Sequence, residues 1–336
     1  MGQALGGWRT RSLAAPLLLA LLSIAIYSAL GAGRLVAAGS QVSPPGATPA
    51  ATVTNAEPGG QPQEVPEHEE GLSRNAVEIA RPFGFPITNS MVVSWVVALG
   101  LIVFARFATR NMNQVPEGAQ NFLEWLVEGL YSLLERIIGR HLVQRTFWFF
   151  ATIFIFILTA NWVGLIPGVG TIGWGHRGAT GFKIDQPLLR GANADLNLTF
   201  AMAIIFFALW IYWALRETGV RGVLHEIFGA KGETAGPLKV LMVVVFFAAG
   251  CLEVISILFR PVSLGFRLYG NIFAGETMLE TMARLVPGFG WLVPIPFYFL
   301  ELLMGMVQAL VFMLLTAVFT LLICQHEEEA PVTAHD

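Results

Sequence analysis

Charged residues are scarce in this chain: Asp, Glu, Lys and Arg make up 13% of its 336 residues. A soluble domain carries about twice that share, which excludes an ordinary soluble protein. Cysteine is nearly absent, because only Cys251 and Cys324 occur. Both lie in apolar segments without metal-ligand spacing, and we interpret them as small packing residues. No basic run indicates a nucleic-acid partner, and the Gly clusters resemble loops rather than phosphate-binding motifs, so no cofactor is expected.

Apolar residues are abundant instead, at 55% of the chain, with a mean hydropathy of +0.63. Several apolar stretches are about 20 residues long, enough for a helix to cross a hydrocarbon core of ~30 Å. The sequence therefore predicts an all-α polytopic membrane protein.

The N-terminus has the pattern of an export signal over residues 1–38. Arg9 and Arg11 precede an apolar stretch at 13–30, and small residues at 36–38 suit a cleavage site. The apolar stretch is long for a signal peptide, so an uncleaved signal anchor remains the alternative. Residues 39–75 are rich in Pro, Gly, Ala, Thr and Glu and predict a disordered polar tail.

The membrane domain is expected over residues 76–325, followed by a cytoplasmic tail at 326–336. About five transmembrane helices are predicted. Their ranges are 87–107, 147–166, 196–215, 241–286 and 291–324. A Gly-rich polar loop is expected up to Ala194, and a charged loop after the third span.

One further helix should lie in the membrane interface over 115–141, because apolar residues recur there at helical spacing while charges fill the other side. The apolar residues are Phe122, Leu126, Leu130, Leu133 and Ile137. Basic residues concentrate after the first and third spans, so both of these loops and the C-terminus are expected in the cytoplasm, and the processed N-terminus outside.

The last two spans are too long for a perpendicular crossing. Residues 241–286 would form a helix of ~69 Å, so this segment must tilt, break or lie along the membrane. We expect the two spans to form a long, tilted hairpin that turns at Pro287-Gly288. The same spans hold most of the polar groups that a membrane disfavours: Glu253, Arg260, Arg267, Asn271, Glu276, Glu280, Arg284, Glu301 and Gln308.

A charge at a bilayer centre costs roughly 2.5–3.5 kcal/mol even on a lenient scale, so such groups are functional candidates. Glu253, Arg260 and Arg267 are seven residues apart and share a helix face, which Asn271 extends by one turn. Glu276 is about half a turn out of phase with Arg267 and should face another side.

Antiparallel packing of the last two spans gives their partners. The residue numbers of Glu276 and Glu301 have nearly the same sum as those of Arg267 and Gln308, so one register brings both pairs together. We therefore expect a carboxylate pair near the turn and an Arg267–Gln308 pair deeper in the membrane.

Simpler structural roles remain open for several of these groups. Arg260 and Arg284 suit interfacial anchors, and Glu253 suits a partner of Arg260. Asn271 and Gln308 suit hydrogen bonds that hold two helices together.

The run PVSLGFRLYGNIFAGE, from Pro261 to Glu276, resembles the signature of subunit a of F-type ATP synthases. Similar runs occur at 149–168, 194–204 and 308–319, so the resemblance covers about residues 80–325. It implies a stationary subunit of the membrane sector, without nucleotide chemistry of its own.

The resemblance also implies roles by position. Arg267 matches the stator arginine that faces the carboxylates of a rotating ring, with Asn271 and Gln308 as its polar neighbours. The remaining matches are Glu276 and Glu301 in the outer half-channel, Glu253, Ser256 and Ser263 in the inner half-channel, and Asp195 and Asn161 near the outer vestibule.

Partners follow from the same resemblance: a ring of c subunits, a b-subunit peripheral stalk, the lipid bilayer and a translocated H⁺ or Na⁺. The location implied is the inner (plasma) membrane. A secondary transporter is the main alternative, but it predicts inverted repeats that this chain does not show. A flagellar-type stator would need a peptidoglycan-binding domain, and a structural scaffold would not need Arg267.

Overall fold

The computed structural model describes residues 78–80, 87–166, 172–178, 181–228, 237–285 and 292–324. The predicted signal segment, polar tail, cytoplasmic tail and turn at Pro287-Gly288 lie outside these residues.

The described part of the chain contains six helices of ten or more residues. They are α1 (Asn89–Ala108), α2 (Gly118–Gly164), α3 (Leu196–Glu217), α4 (Gly219–Phe228), α5 (Pro237–Leu285) and α6 (Ile295–Cys324). All except α4 are long and apolar enough to cross a membrane. The predicted fold class, a polytopic helical membrane protein with about five spans, is confirmed.

A break at Gly139 divides α2 into two helices. Gly139 has φ 77° and ψ 160°, a backbone conformation that essentially only glycine adopts. Before the break, Leu130 and Leu134 are buried, whereas Glu128 and Arg136 are exposed, as expected for an amphipathic helix. The interfacial helix and the second span are therefore both present, but they meet at Gly139 rather than between residues 141 and 147.

Two short sheets accompany the helices. β1 (Glu78–Ala80) pairs antiparallel with β2 (Ile87–Thr88), and β3 (Gly173–Gly178) with β4 (Gly181–Pro187). The second sheet corrects the prediction of a plain loop before Ala194. Strand prediction depends on alternating apolar and polar side chains, and the glycines of β3 and β4 interrupt this alternation. The two strands are held together by backbone hydrogen bonds, which the side-chain pattern does not show.

The expected charged loop after α3 is also partly wrong, because α4 forms a helix there. α4 packs against α5, where Gly250 lies so close to Phe228 that a side chain at this position would meet its ring. Helix α4 thus depends on a contact with α5, which cannot be predicted from the sequence of α4 alone.

The core lies between α2, α3 and α6. Phe150, Ile157, Phe312 and Met313 are fully buried there, and α2 makes the most extensive helix–helix contact, with α6. Trp213 of α3 packs its ring edge-on against Phe149.

Helix α5 is covered far less than the others. Only 11% of its apolar window is buried, against 33–56% in the other four long helices. The helix continues through Pro261 without interruption and is about 73 Å long by its 49 residues. Of the three expected alternatives for this segment, a break is excluded.

Candidate functional site

The two sides of α5 differ in burial. Leu264, Leu268, Ile272 and Leu279 are four, four and seven residues apart and form the buried side of the helix. On this side a Cβ at Gly265 would lie 3.3 Å from the ring of Phe200. The uncovered side carries the charged residue of greatest interest.

Arg267 lies exposed on that uncovered side. In the part of the chain that the structure describes, it makes no hydrogen bond and no ion pair. Ser256, Ser263 and Gly270 are seven residues apart on the same side, and a Cβ at Gly270 would meet nothing within 4 Å. Small residues beside Arg267 permit another helix to approach closely.

Glu276 points to the opposite side, toward the segment before α3. A Cβ at Gly191 would overlap the Glu276 carboxylate, so Gly191 provides the space for that carboxylate. The Oε2 atom of Glu276 is buried and has no hydrogen-bond partner among the described residues. The charges that act on it are those of Arg190, Glu301 and Glu280.

Glu301 of α6 approaches the same turn of α5. Its carboxylate lies where a Cβ of Gly275 would be, and its Oε1 is buried without a partner among the described residues. Glu301 therefore reaches the turn of α5 that carries Glu276, and its charge acts on Glu276. Buried polar atoms without protein partners are normally satisfied by water or a shared proton.

Asn271 and Gln308 form a hydrogen bond between α5 and α6, with Asn271 Nδ2 donating to Gln308 Oε1 at 2.7 Å. Gln308 is 4% exposed. The expected Arg267–Gln308 pair is therefore wrong by one helical turn. Arg267 faces outward, whereas Asn271 lies closer to α6.

Asn161 of α2 forms hydrogen bonds with two other segments: α6 and the 3₁₀ turn before α3. Its Nδ2 donates to Gly305 O of α6 at 2.9 Å, and Asn193 Nδ2 donates to its Oδ1 at 2.6 Å. Gly305 leaves room for this contact, because a Cβ there would lie only 3.1 Å from the Asn161 Cβ. Asn161 thus fixes the position of α6 beside the carboxylates.

Asp195 is the N-cap of α3. Its Oδ1 accepts hydrogen bonds from the backbone N–H of Asn197 at 3.0 Å and from Asn197 Nδ2 at 3.1 Å. The side chain is buried, so the structure gives it a structural role at the start of α3.

Glu253 pairs with Arg260 at 2.8 Å, which is the structural alternative considered above. Arg260 also lies over the ring of Phe319, with its guanidinium carbon 4.7 Å from the ring centre. Glu253 remains about half exposed and is not enclosed by this pair. Ser256 lies exposed one turn away.

Arg190, Gly191 and Asn193 are the residues of this region that sequence reasoning missed. Arg190 and Gly191 come directly before the 3₁₀ turn Ala192–Ala194, which contains Asn193, and Arg190 is only 5% exposed. Arg190 lies in the Gly-rich polar loop that the sequence predicts before Ala194, and the sequence pattern assigns it no role. The available signal was its position five residues before Asp195, at the end of a loop that leads into a span.

The described residues contain no group of three His, Cys, Asp or Glu side chains that could hold a metal ion. What the site offers is proton chemistry: two adjacent carboxylates can take up and release protons. Arg267 offers a permanent positive charge, because a guanidinium stays protonated at any relevant pH.

The fold and these groups define a multi-pass membrane protein with ionisable residues on its last two spans. The family model described as ATP synthase A chain matches residues 91–320. The ATP synthase subunit a of Gloeobacter violaceus is 35% identical over 229 residues, which are 68% of this chain and 80% of that protein. The chain belongs to the ATP synthase subunit a family.

Two other relatives agree. The ATP synthase subunit a of Trichlorobacter lovleyi is 34% identical over 232 residues, 69% of this chain and 85% of that protein. The ATP synthase subunit a of Moorella thermoacetica is 32% identical over 243 residues, 72% of this chain and 94% of that protein.

Proposed function

We propose that the chain is the stationary ion-channel subunit of the membrane sector of an ATP synthase. In this proposal, two offset half-channels carry protons to and from the carboxylates of a c-subunit ring. Membership of the subunit a family supports the general role, and the arrangement of charges on α5 and α6 supports the mechanism.

The observation that carries the proposal is the exposed, unpaired state of Arg267 among the described residues. A membrane protein keeps such a charge only where it meets water or a partner of opposite charge. The c-ring carboxylate is that partner: it is attracted to Arg267 when ionised, and a cation that would pass straight through is repelled.

The outer half-channel ends at Glu276 and Glu301. A proton from outside reaches this pair and is passed to a ring carboxylate, which becomes neutral and can rotate into lipid. A bare carboxylate would meet a high energetic cost there. Asn271 and Gln308 hold α5 and α6 in the register that places both acids together.

The inner half-channel begins near Glu253, with Ser256 and Ser263 on the way. Glu253 lies about 21 Å from Arg267 along the helix, and Glu276 about 13 Å in the other direction. Because the two acidic paths lie on either side of Arg267, the ring must turn before the proton leaves. This offset converts proton flow into torque.

Replacement of Arg267 by Ala tests the proposal directly. We expect Arg267→Ala to abolish proton-driven ATP synthesis in vesicles that contain the complete complex, because the barrier between the two paths is lost. The complex should still assemble, since Arg267 makes no hydrogen bond or ion pair with the other described residues. Copurification of the other subunits checks assembly.

Arg110→Ala is the matched control, because Arg110 is also exposed but lies between α1 and α2. It should synthesise ATP at the normal rate. Normal synthesis in Arg267→Ala would refute the proposed role of Arg267.

A further inference from the structure

Arg190 is a buried cation beside the carboxylate pair. It is 5% exposed, and its guanidinium carbon lies 6.0 Å from the ring centre of Phe273, one turn before Glu276 on α5. A buried guanidinium is costly unless it interacts with other groups, so its position beside α5 calls for a function.

The backbone after Arg190 touches the carboxylate directly. Gly191 leaves the space that the Glu276 carboxylate occupies, and a Cβ at Gly164 would lie 3.0 Å from the Gly191 Cα and 3.8 Å from Glu276 Oε1. Arg190 is the positive member of the three charged residues that act on Glu276. The short segment 190–191 therefore provides both the shape and the charge around Glu276.

A pair of carboxylates in a membrane has two physical weaknesses. The like charges repel each other, and adjacent carboxylate oxygens are the ligands that hard metal cations prefer. A fixed guanidinium corrects both, because it offsets one negative charge and remains charged at any relevant pH. A proton forms a covalent O–H bond with a carboxylate, whereas a bound metal ion keeps its own positive charge and is repelled by Arg190.

We propose that Arg190 is a positioning residue that holds the Glu276 carboxylate toward Glu301 and keeps metal cations off this pair. The pair then relays protons without being blocked by Na⁺ or Ca²⁺. This inference rests on the proposed function, because it assumes that the outer path passes through Glu276.

Arg190→Gln in the complete complex tests this role, with Arg190→Lys as the conservative control. Proton flux into vesicles is measured at increasing concentrations of Na⁺ and Ca²⁺. We expect flux to fall about tenfold in Arg190→Gln and to fall further with added Ca²⁺. Arg190→Lys should keep most of the flux and remain insensitive to both cations, like the unchanged protein.

A double variant shows whether Arg190 acts through Glu276. Arg190→Gln combined with Glu276→Gln should be no slower than Glu276→Gln alone. Independent, multiplying losses would overturn the proposal, as would unchanged flux and cation response in Arg190→Gln. Cation-sensitive flux in the unchanged protein would also overturn it.

Assembly is followed by copurification, and Arg190→Met provides a second uncharged side chain of similar length. If neither uncharged variant assembles while Arg190→Lys does, Arg190 has a structural role and the proposal is wrong. Glu276→Gln alone separates the two levels: unchanged flux in that variant refutes the outer path itself, whatever Arg190 does.

Discussion

Two arginines on the same face of α5 show how the surroundings of a charge decide its role. Arg260 is paired with Glu253 at 2.8 Å and covered by the ring of Phe319. Arg267, two turns further, makes neither kind of contact within the described residues. An arginine in an apolar segment is thus only a candidate, and the absence of a partner among the described residues favours Arg267 over Arg260 for the proposed role.

The two carboxylates are expected to act in sequence on one path. Glu276→Gln and Glu301→Gln should each slow proton flux through the complex, and the double variant should be slower than either, because each amide removes a group that can bind and release a proton. Flux into vesicles is the measurement. A double variant that pumps at the normal rate would show that the outer path lies elsewhere.

Gly191 makes a sharper prediction, because it depends on space rather than on charge. Gly191→Ala places a methyl group where the Glu276 carboxylate lies, so the carboxylate must move and flux should fall about tenfold. Gly100→Ala is the control, since a Cβ at Gly100 meets nothing within 4 Å and flux should not change. Equal flux in both variants would contradict the contact at Gly191.

At this scale the sequence predicts which polar residues of α5 and α6 lie near each other better than it predicts their hydrogen-bond partners. Glu276 and Glu301 come together as helical spacing indicates, because a constant register follows from antiparallel packing. Gln308 forms its hydrogen bond with Asn271 and not with Arg267. The prediction failed because Arg267 and Asn271 are one turn apart on the same face, and spacing alone cannot distinguish them. Arg190 was missed because nothing in a loop sequence shows that it is buried.

At the scale of elements, periodicity and length predicted the long helices within a few residues. The break in α2 was expected a few residues too late, because it depends on the backbone of Gly139 rather than on an apolar pattern. The strand pair β3–β4 and helix α4 were not predicted. Both depend on contacts between segments, which local composition does not record.

Gly139 carries the prediction at this scale. Gly139→Ala should destabilise the protein by about 1–3 kcal/mol, because φ 77° with ψ 160° is strained for any side chain. Thermal unfolding of the purified complex in detergent is the measurement. Gly129→Ala is the control: Gly129 lies inside the same helix with open space around it, and alanine there should be neutral or slightly stabilising.

An unchanged unfolding temperature in Gly139→Ala would mean that the two parts of α2 tolerate a different angle. The interfacial helix would then be positioned by its buried residues, such as Leu130 and Leu134, rather than by the break.

At the scale of the whole molecule, the long helices differ in how much of their surface is buried against the rest of the chain. α2 is well buried, whereas α5, which carries Arg267, is mostly uncovered in the isolated chain. The small residues Ser256, Ser263 and Gly270 along its open side leave room for a neighbouring helix to approach closely. Because burial appears only after folding, the sequence predicted the partner through family resemblance and not through this surface.

The most direct measurement is a cross-link from the open side of α5. Ser263→Cys, in a chain where Cys251 and Cys324 are serine, is labelled with a photoreactive maleimide and irradiated in the intact complex. Our account predicts adducts with the small ring-forming subunit, while Leu99→Cys on the exposed side of α1 gives none with that subunit. If the intact complex yields no ring adduct from position 263, the Arg267 side of α5 does not face the rotor, and the proposed mechanism is contradicted.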